Sequence, residues 1–145
     1  MSNARYLLDM RQSELDTLFR SSAPGDIPRG KGRGTVIFAP HTFVAKIVAA
    51  LAHLIAWQGK VFDPDKDELL NLITPFGLRK IRAQVYKQAS WLDEKECIVL
   101  DYSKTSVVAR WIRDEIREVS DGVYLGLVFW GKRRVLKFAL EFPKS

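Results

Sequence analysis

The sequence predicts a mainly β, α+β domain: an antiparallel β-barrel preceded by an N-terminal helix and capped by a second, apolar helix. The last third of the chain carries the prediction. Asp114 to Ser120, Val123 to Trp130 and Arg134 to Phe142 follow one another with only Asp121-Gly122 and Gly131-Lys132-Arg133 between them, the pattern of a β-meander. Asp-Gly is a strong hairpin signal because a tight primed turn needs positive φ at both central residues. Counting upstream gives about seven or eight strands at the regular spacing of an all-β barrel or sandwich. In a chain of 145 residues such a sheet must curl or be covered to hide its apolar face.

Composition bounds the class. At 47% hydrophobic, the chain buries one core without disulfides or metals, and it reads as one domain over residues 1–145. The single cysteine, Cys97, excludes an intramolecular disulfide and two-cysteine zinc motifs and suits a reducing compartment. Arg5, Asp9, Arg11 and Glu14 interrupt any apolar N-terminal run, so no leader is expected and the protein reads as cytoplasmic. The formal charge of +6, from 23 basic and 17 acidic residues, suits an anionic partner or serves solubility alone.

Each element has its own signal. Asn3 to Arg20, within residues 1–22, reads as a helix because Leu8, Leu15, Leu18 and Phe19 recur near one face, and Ser21-Ser22-Ala23-Pro24-Gly25 stops it. Pro24 to Gly34, rich in glycine and proline, reads as a flexible turn before a short apolar strand, Thr35 to Ala39. In His41 to Trp57, Phe43, Val44, Ile47, Val48, Leu51, Leu54 and Ile55 alternate with alanines and leave Lys46 and His53 as the clear polar side chains. A helix apolar nearly all round is buried or inserts into something apolar, and this one is too short to span a bilayer. Residues 58–142 read as antiparallel strands: Lys60 to Asp63, Leu69 to Thr74, Leu78 to Lys87, Glu96 to Ser103, and the meander.

Tempting catalytic motifs fail. Gly25 to Lys31 matches the phosphate-loop spacing, but Gly32 stands where a magnesium-binding Ser or Thr is needed, and a strand-like run follows where a helix is required. There is no Gly-x-Ser-x-Gly elbow, and two histidines do not build both a metal site and a catalytic base. His53, on the apolar segment with Lys46, would ligate haem or move a proton if it faced a cavity, but a satisfied structural histidine is the commoner meaning. No cofactor or metal is expected.

The most informative polar residues are Asp101-Tyr102-Ser103 and Arg113-Asp114-Glu115, both beside strongly apolar strands. Alternation puts Ile98, Leu100 and Tyr102 on one side of the sheet, and Val99, Asp101 and Ser103 on the other. If the Asp101 side faces the interior, that aspartate is paired with Arg113 or Arg117 or has a raised pKa; if it faces solvent, these are surface charges.

Trp57-Gln58-Gly59-Lys60-Val61-Phe62, Cys97-Ile98-Val99-Leu100-Asp101-Tyr102, Arg113-Asp114-Glu115-Ile116-Arg117 and the Tyr124-Leu125-Gly126 meander resemble, in order, the elements of lipocalin-like (calycin) proteins of the GXWXG type. The resemblance runs from about Gly34 to Phe142, with Gly32-Arg33-Gly34-Thr35 where the family has a tryptophan between glycines. It implies a calycin-like barrel that holds a small hydrophobic ligand. A closed barrel with a capping helix supports the same expectation. The leading reading is a carrier of a lipid-like or aromatic molecule, with Trp57, Lys60, Asp101, Tyr102, Arg113 and Tyr124 as candidate ligand-binding residues and Asp101, Tyr102 and Arg113 as a polar floor. The alternatives are a small cyclase or isomerase using that trio, or a basic surface of Arg79, Lys80, Arg82 and Lys87 that meets an anionic membrane or, less favoured, nucleic acid. Exposed strand edges, if the sheet stays open, would favour a homodimer.

Overall fold

Glycine sets both turns of the C-terminal meander, by different routes. At the second turn Gly131 takes φ +61° and Lys132 does not take a positive φ, which is the pattern of a type II′ hairpin. At the first turn Gly122 takes φ +73°. Asp121 does not, because Glu94 is the one non-glycine with positive φ among the described residues. The expected primed turn at Asp121-Gly122 is therefore replaced by a turn with a single left-handed residue, and the register shift between Glu118 and Ser120 absorbs the mismatch.

The structure, a computed structural model, describes residues 4–38, 57–63, 66, 68–73, 79–104 and 110–143. Two helices, α1 (Arg5–Leu8) and α2 (Gln12–Ser21), precede eight strands: β1 (Gly30–Phe38), β2 (Trp57–Asp63), β3 (Glu68–Ile73), β4 (Arg79–Ala89), β5 (Glu96–Asp101), β6 (Ile112–Ser120), β7 (Val123–Trp130) and β8 (Arg133–Glu141). Each strand is antiparallel to the next, and β1 closes on β8. The barrel is closed, so it has no free sheet edge. Consecutive strands are neighbours, so the β1–β2, β3–β4, β5–β6 and β7–β8 connections all leave from one end.

Two apolar layers follow from period-2 alternation. Phe62, Ala83, Val85, Ile98, Leu100, Tyr102, Ile116, Tyr124, Leu136, Phe138 and Leu140 line the barrel interior. Cys97, Val99, Val123, Leu125, Leu127, Phe129 and Ala139 form the outer face, covered by Leu7, Leu15 and Phe19 of the helices. Strands β5 to β8 are therefore apolar on both faces. At the end opposite the four connections, Phe142 packs edge-on against Phe62 and Tyr124, with ring centroids 5.6 Å and 5.5 Å away. The chain before β1 crosses the same end, where the Tyr124 hydroxyl donates to the Asp26 carbonyl at 2.6 Å and the Glu118 N–H to the Pro24 carbonyl at 3.1 Å. This end carries an aromatic floor.

Several boundaries differ from expectation for physical reasons. The single N-terminal helix is two helices, because Arg11 is extended (φ −71°, ψ 157°) and its N–H is accepted by the Glu14 carboxylate at 2.9 Å, half of a capping box. The strand expected from Thr35 begins at Gly30, inside the stretch read as a flexible turn. There Gly32 admits the Phe142 ring, whose nearest atom would lie 2.4 Å from an added Cβ. Trp57 opens β2 instead of ending a helix. The rest of the apolar His41 to Trp57 segment, with His41 and His53, lies outside the described residues.

Gly126 shows the same constraint deep in the barrel, where a Cβ would sit 2.2 Å from the Phe138 ring. Gly126 faces Phe138 across β7 and β8, and the ring belongs to the interior layer. Gly126→Ala is therefore expected to lower unfolding stability by about 1–3 kcal/mol in urea titrations, as overpacking does. An unchanged midpoint would show that the ring has room to move.

Candidate functional site: a polar cluster inside the barrel

Strand β6 reads Ile112-Arg113-Asp114-Glu115-Ile116-Arg117, and all of Arg113 to Arg117 are buried. Alternation splits these charges between the two apolar layers. Ile116 lies in the interior layer, so Asp114, two residues before it, points into the barrel. Lys60, from β2, meets it there. Lys60 Nζ is 3.1 Å from Asp114 Oδ2, with both side chains 4% exposed. The ammonium donates to the Tyr102 hydroxyl at 2.7 Å, and that hydroxyl donates to Asp114 Oδ2 at 3.3 Å. Lys60 Nζ also lies 5.5 Å from the centroids of the Tyr102 and Phe138 rings, within cation–π range.

Both partners of Asp114 engage the same carboxylate oxygen. The other, Oδ1, is buried and has no hydrogen-bond partner among the described residues. Burial pushes the Asp114 carboxyl above its ordinary range, and the charge and hydrogen bond of Lys60, with the bond from Tyr102, pull it only part of the way back. Burial likewise lowers Lys60, opposed by the charge and hydrogen bond of Asp114. The cluster thus combines a cation donor, a hydroxyl relay and a spare acceptor in an apolar surround. A carboxylate oxygen left without a partner at this depth is costly.

The expected polar floor of Asp101, Tyr102 and Arg113 is corrected here. Tyr102 is inside, but Asp101 and Arg113 stand opposite one another on the outer face. The Asp101 carboxylate accepts the Ser103 N–H at 2.8 Å, the Ser103 hydroxyl at 2.6 Å and the Tyr86 hydroxyl at 2.7 Å. Burial pushes it up, but these bonds outweigh burial and hold it below the usual range. Arg113 bonds Glu115, Gln88 and the Ala89 carbonyl and lies 4.2 Å from the Trp91 ring. The trio proposed for catalysis is therefore divided by the sheet itself. Lys60 is inside, Tyr124 belongs to the floor, and Trp57 opens β2 opposite Ile73. The inward carboxylate is Asp114, which neighbours Arg113 and shares the parity of Ile116.

The outer charges serve the fold. Arg117 is fully buried and uses its whole guanidinium: Nε to the Glu96 carbonyl, Nη1 to Asp93 and the Phe19 carbonyl, Nη2 to Asp93 and the Lys95 carbonyl, at 2.7–3.1 Å. It ties the end of α2 and the β4–β5 turn to β6. The Ser90 hydroxyl and the Trp91 N–H donate to Glu115 at 2.5 Å and 2.8 Å. Cys97 lies in this layer, its thiol pushed up to about 12 by burial and then by Glu115, so it is not an activated nucleophile.

Among the described residues there is no cluster of three His, Cys, Asp or Glu arranged to hold a metal ion, and no helix long and apolar enough to cross a membrane. No protein-family model matches the chain, and no curated protein matches it. A solved structure of a protein from Thermomonospora curvata superposes with a TM-score of 0.64 at 18% identity, over 97% of this chain and 95% of that one. At that identity the likeness concerns the fold alone.

Removing Lys60 tests the burial of the pair. In Lys60→Met, Asp114 loses its counter-charge and burial drives its pKa further up. A group with a raised folded pKa stabilises the fold while protonated, and that contribution is lost as pH rises from the ordinary 3.8 through the folded value. Relative to wild type, Lys60→Met is expected to lose stability as pH rises through that window, reaching about 3–5 kcal/mol once the carboxyl ionises. Lys60→Met/Asp114→Leu should lack this pH dependence and match or exceed wild type. Urea unfolding across the pH range checks both, and a Lys60→Met protein as stable as wild type at neutral pH would contradict a buried pair.

Proposed function

We propose that this protein is a non-catalytic binder or carrier of a small, mostly apolar molecule held inside the barrel, with its polar end at Lys60, Tyr102 and Asp114. The observation that carries the reading is Asp114 Oδ1, a buried acceptor without a partner among the described residues. A ligand hydroxyl or amide N–H would satisfy it, and a carbonyl or carboxylate oxygen on the same head group would accept from Lys60. The apolar wall of Leu100, Ile116, Phe138 and Leu140 suits the remainder of such a ligand. A single buried thiol fits a reducing, cytoplasmic setting.

This reading differs from the expected one in its anchor. Asp114 and Lys60 replace Asp101 and Arg113, and the carrier class is retained because binding needs no triad. Native mass spectrometry of freshly purified protein is expected to show a copurified apolar molecule or, after its removal, capture of an environment-sensitive apolar dye. Lys60→Met/Asp114→Leu, which removes the pair without stranding a charge, should leave a purely hydrocarbon probe bound and weaken a hydroxyl-bearing analogue roughly ten- to hundred-fold, the worth of a hydrogen bond to a charged group. A wild-type protein that takes up no apolar probe would mean that side chains fill the barrel, and the carrier reading would fall.

A further inference from the structure

Three of the four tryptophans in the chain, Trp91, Trp111 and Trp130, are 45%, 58% and 39% exposed. They gather at one place. Trp111 immediately precedes β6 and Trp130 ends β7 at the end of the barrel from which the β5–β6 and β7–β8 connections leave, and the Gly131 N–H donates to the Trp111 carbonyl at 2.9 Å. Trp91 reaches the same region from the β4–β5 turn, with its ring edge-on to Phe129 at 5.4 Å and Lys132 Nζ 6.0 Å from its centroid. Residues 110–113 and 129–134 supply Arg110, Arg113, Lys132, Arg133 and Arg134 and no acid. Of these, Arg113 is committed to Glu115 and Arg134 to Asp16; Arg110, Lys132, Arg133 and Arg134 are exposed.

We infer that this tryptophan-and-cation rim is a docking surface for an anionic phospholipid bilayer, which it meets with the end of the barrel opposite the aromatic floor. Large exposed apolar side chains clustered on one side of a folded domain mark an interaction site. Tryptophan beside Lys and Arg is the combination that suits the headgroup region, where the indole is half in hydrocarbon and the cation meets lipid phosphate. Nucleic acid would call for open indole faces to stack on bases. Here one face of two of the three indoles is already covered by a guanidinium: Arg110 lies 4.9 Å from the Trp111 centroid and Arg113 4.2 Å from that of Trp91. The overall charge of +6 points the same way. The inference stands on these surface residues and does not depend on a ligand in the interior.

The test mixes the purified full-length chain with phosphatidylcholine vesicles, with and without phosphatidylglycerol, and follows cosedimentation and tryptophan emission. Binding is expected to the phosphatidylglycerol vesicles, with a blue shift, and to weaken as salt is added. Trp111→Ala should reduce partitioning. Lys132→Glu, a change of two charges at about 1 kcal/mol each, should reduce it on the order of ten-fold or more. Both sites are exposed, so thermal unfolding and capture of the interior dye should be unchanged in these variants, which separates the rim from the barrel. No binding to anionic vesicles, binding indifferent to both substitutions, or tryptophan quenching by a single-stranded oligonucleotide in place of vesicles would overturn the inference.

Discussion

Burial of charge on both faces of β6 is the constraint from which much of this protein follows. Arg113, Asp114, Glu115 and Arg117 are at most 8% exposed, and a charge taken out of water must be paired and hydrogen-bonded. Their partners come from distant parts of the chain. Arg117 draws in the end of α2 and the β4–β5 turn, Glu115 fixes Ser90 and Trp91, and Asp114 is met by Lys60 from β2. A strand read as part of a simple meander thus sets where the helix, one turn and a strand on the far side of the barrel must lie.

The two faces divide the work. On the outer face Arg117 bonds Asp93 and the Phe19, Lys95 and Glu96 carbonyls, Glu115 bonds Ser90, Trp91 and Arg113, and Asp101 is held by Ser103 and Tyr86, so these charges act as joints between elements. On the inner face Asp114 keeps one oxygen without a protein partner among the described residues, in a layer otherwise lined by rings and branched aliphatic chains. Structural ion pairs saturate their members, whereas a site that receives something leaves an atom over. Trp111, Trp130 and the cations beside them stand at the end from which the β1–β2, β3–β4, β5–β6 and β7–β8 connections leave, with the Trp91 ring packed on nearby Phe129, and the Phe142, Phe62 and Tyr124 rings meet at the opposite end.

Much of the fold was legible in the sequence because it rests on local rules. The hairpins announce themselves through Gly122 and Gly131, and the alternation of Ile98, Leu100 and Tyr102 against Val99 and Asp101 is as read. The phase of that alternation was not legible: Cys97 and Val99 are as apolar as Ile98 and Leu100, because α2 covers the outside of the sheet, so hydrophobicity does not mark the inner face. Taking the more polar side as the interior selected Asp101 and Arg113, whereas pairing Leu100 with Asp114 identifies the inward carboxylate. The glycines before Thr35 read as a turn because their reason, the Phe142 ring over Gly32, comes from the far end of the chain. The break between α1 and α2 carries neither glycine nor proline. It is set by Glu14 closing on Arg11.

The central claim is that the spare oxygen of Asp114 receives the polar end of an apolar guest, and a crystal structure of protein purified without refolding tests it most directly. The account predicts elongated non-protein density in hydrogen-bond contact with Asp114 Oδ1 and running along Ile116, Phe138 and Leu140. Density showing a protein side chain bonded to that oxygen, with the interior packed solid around it, would contradict the account.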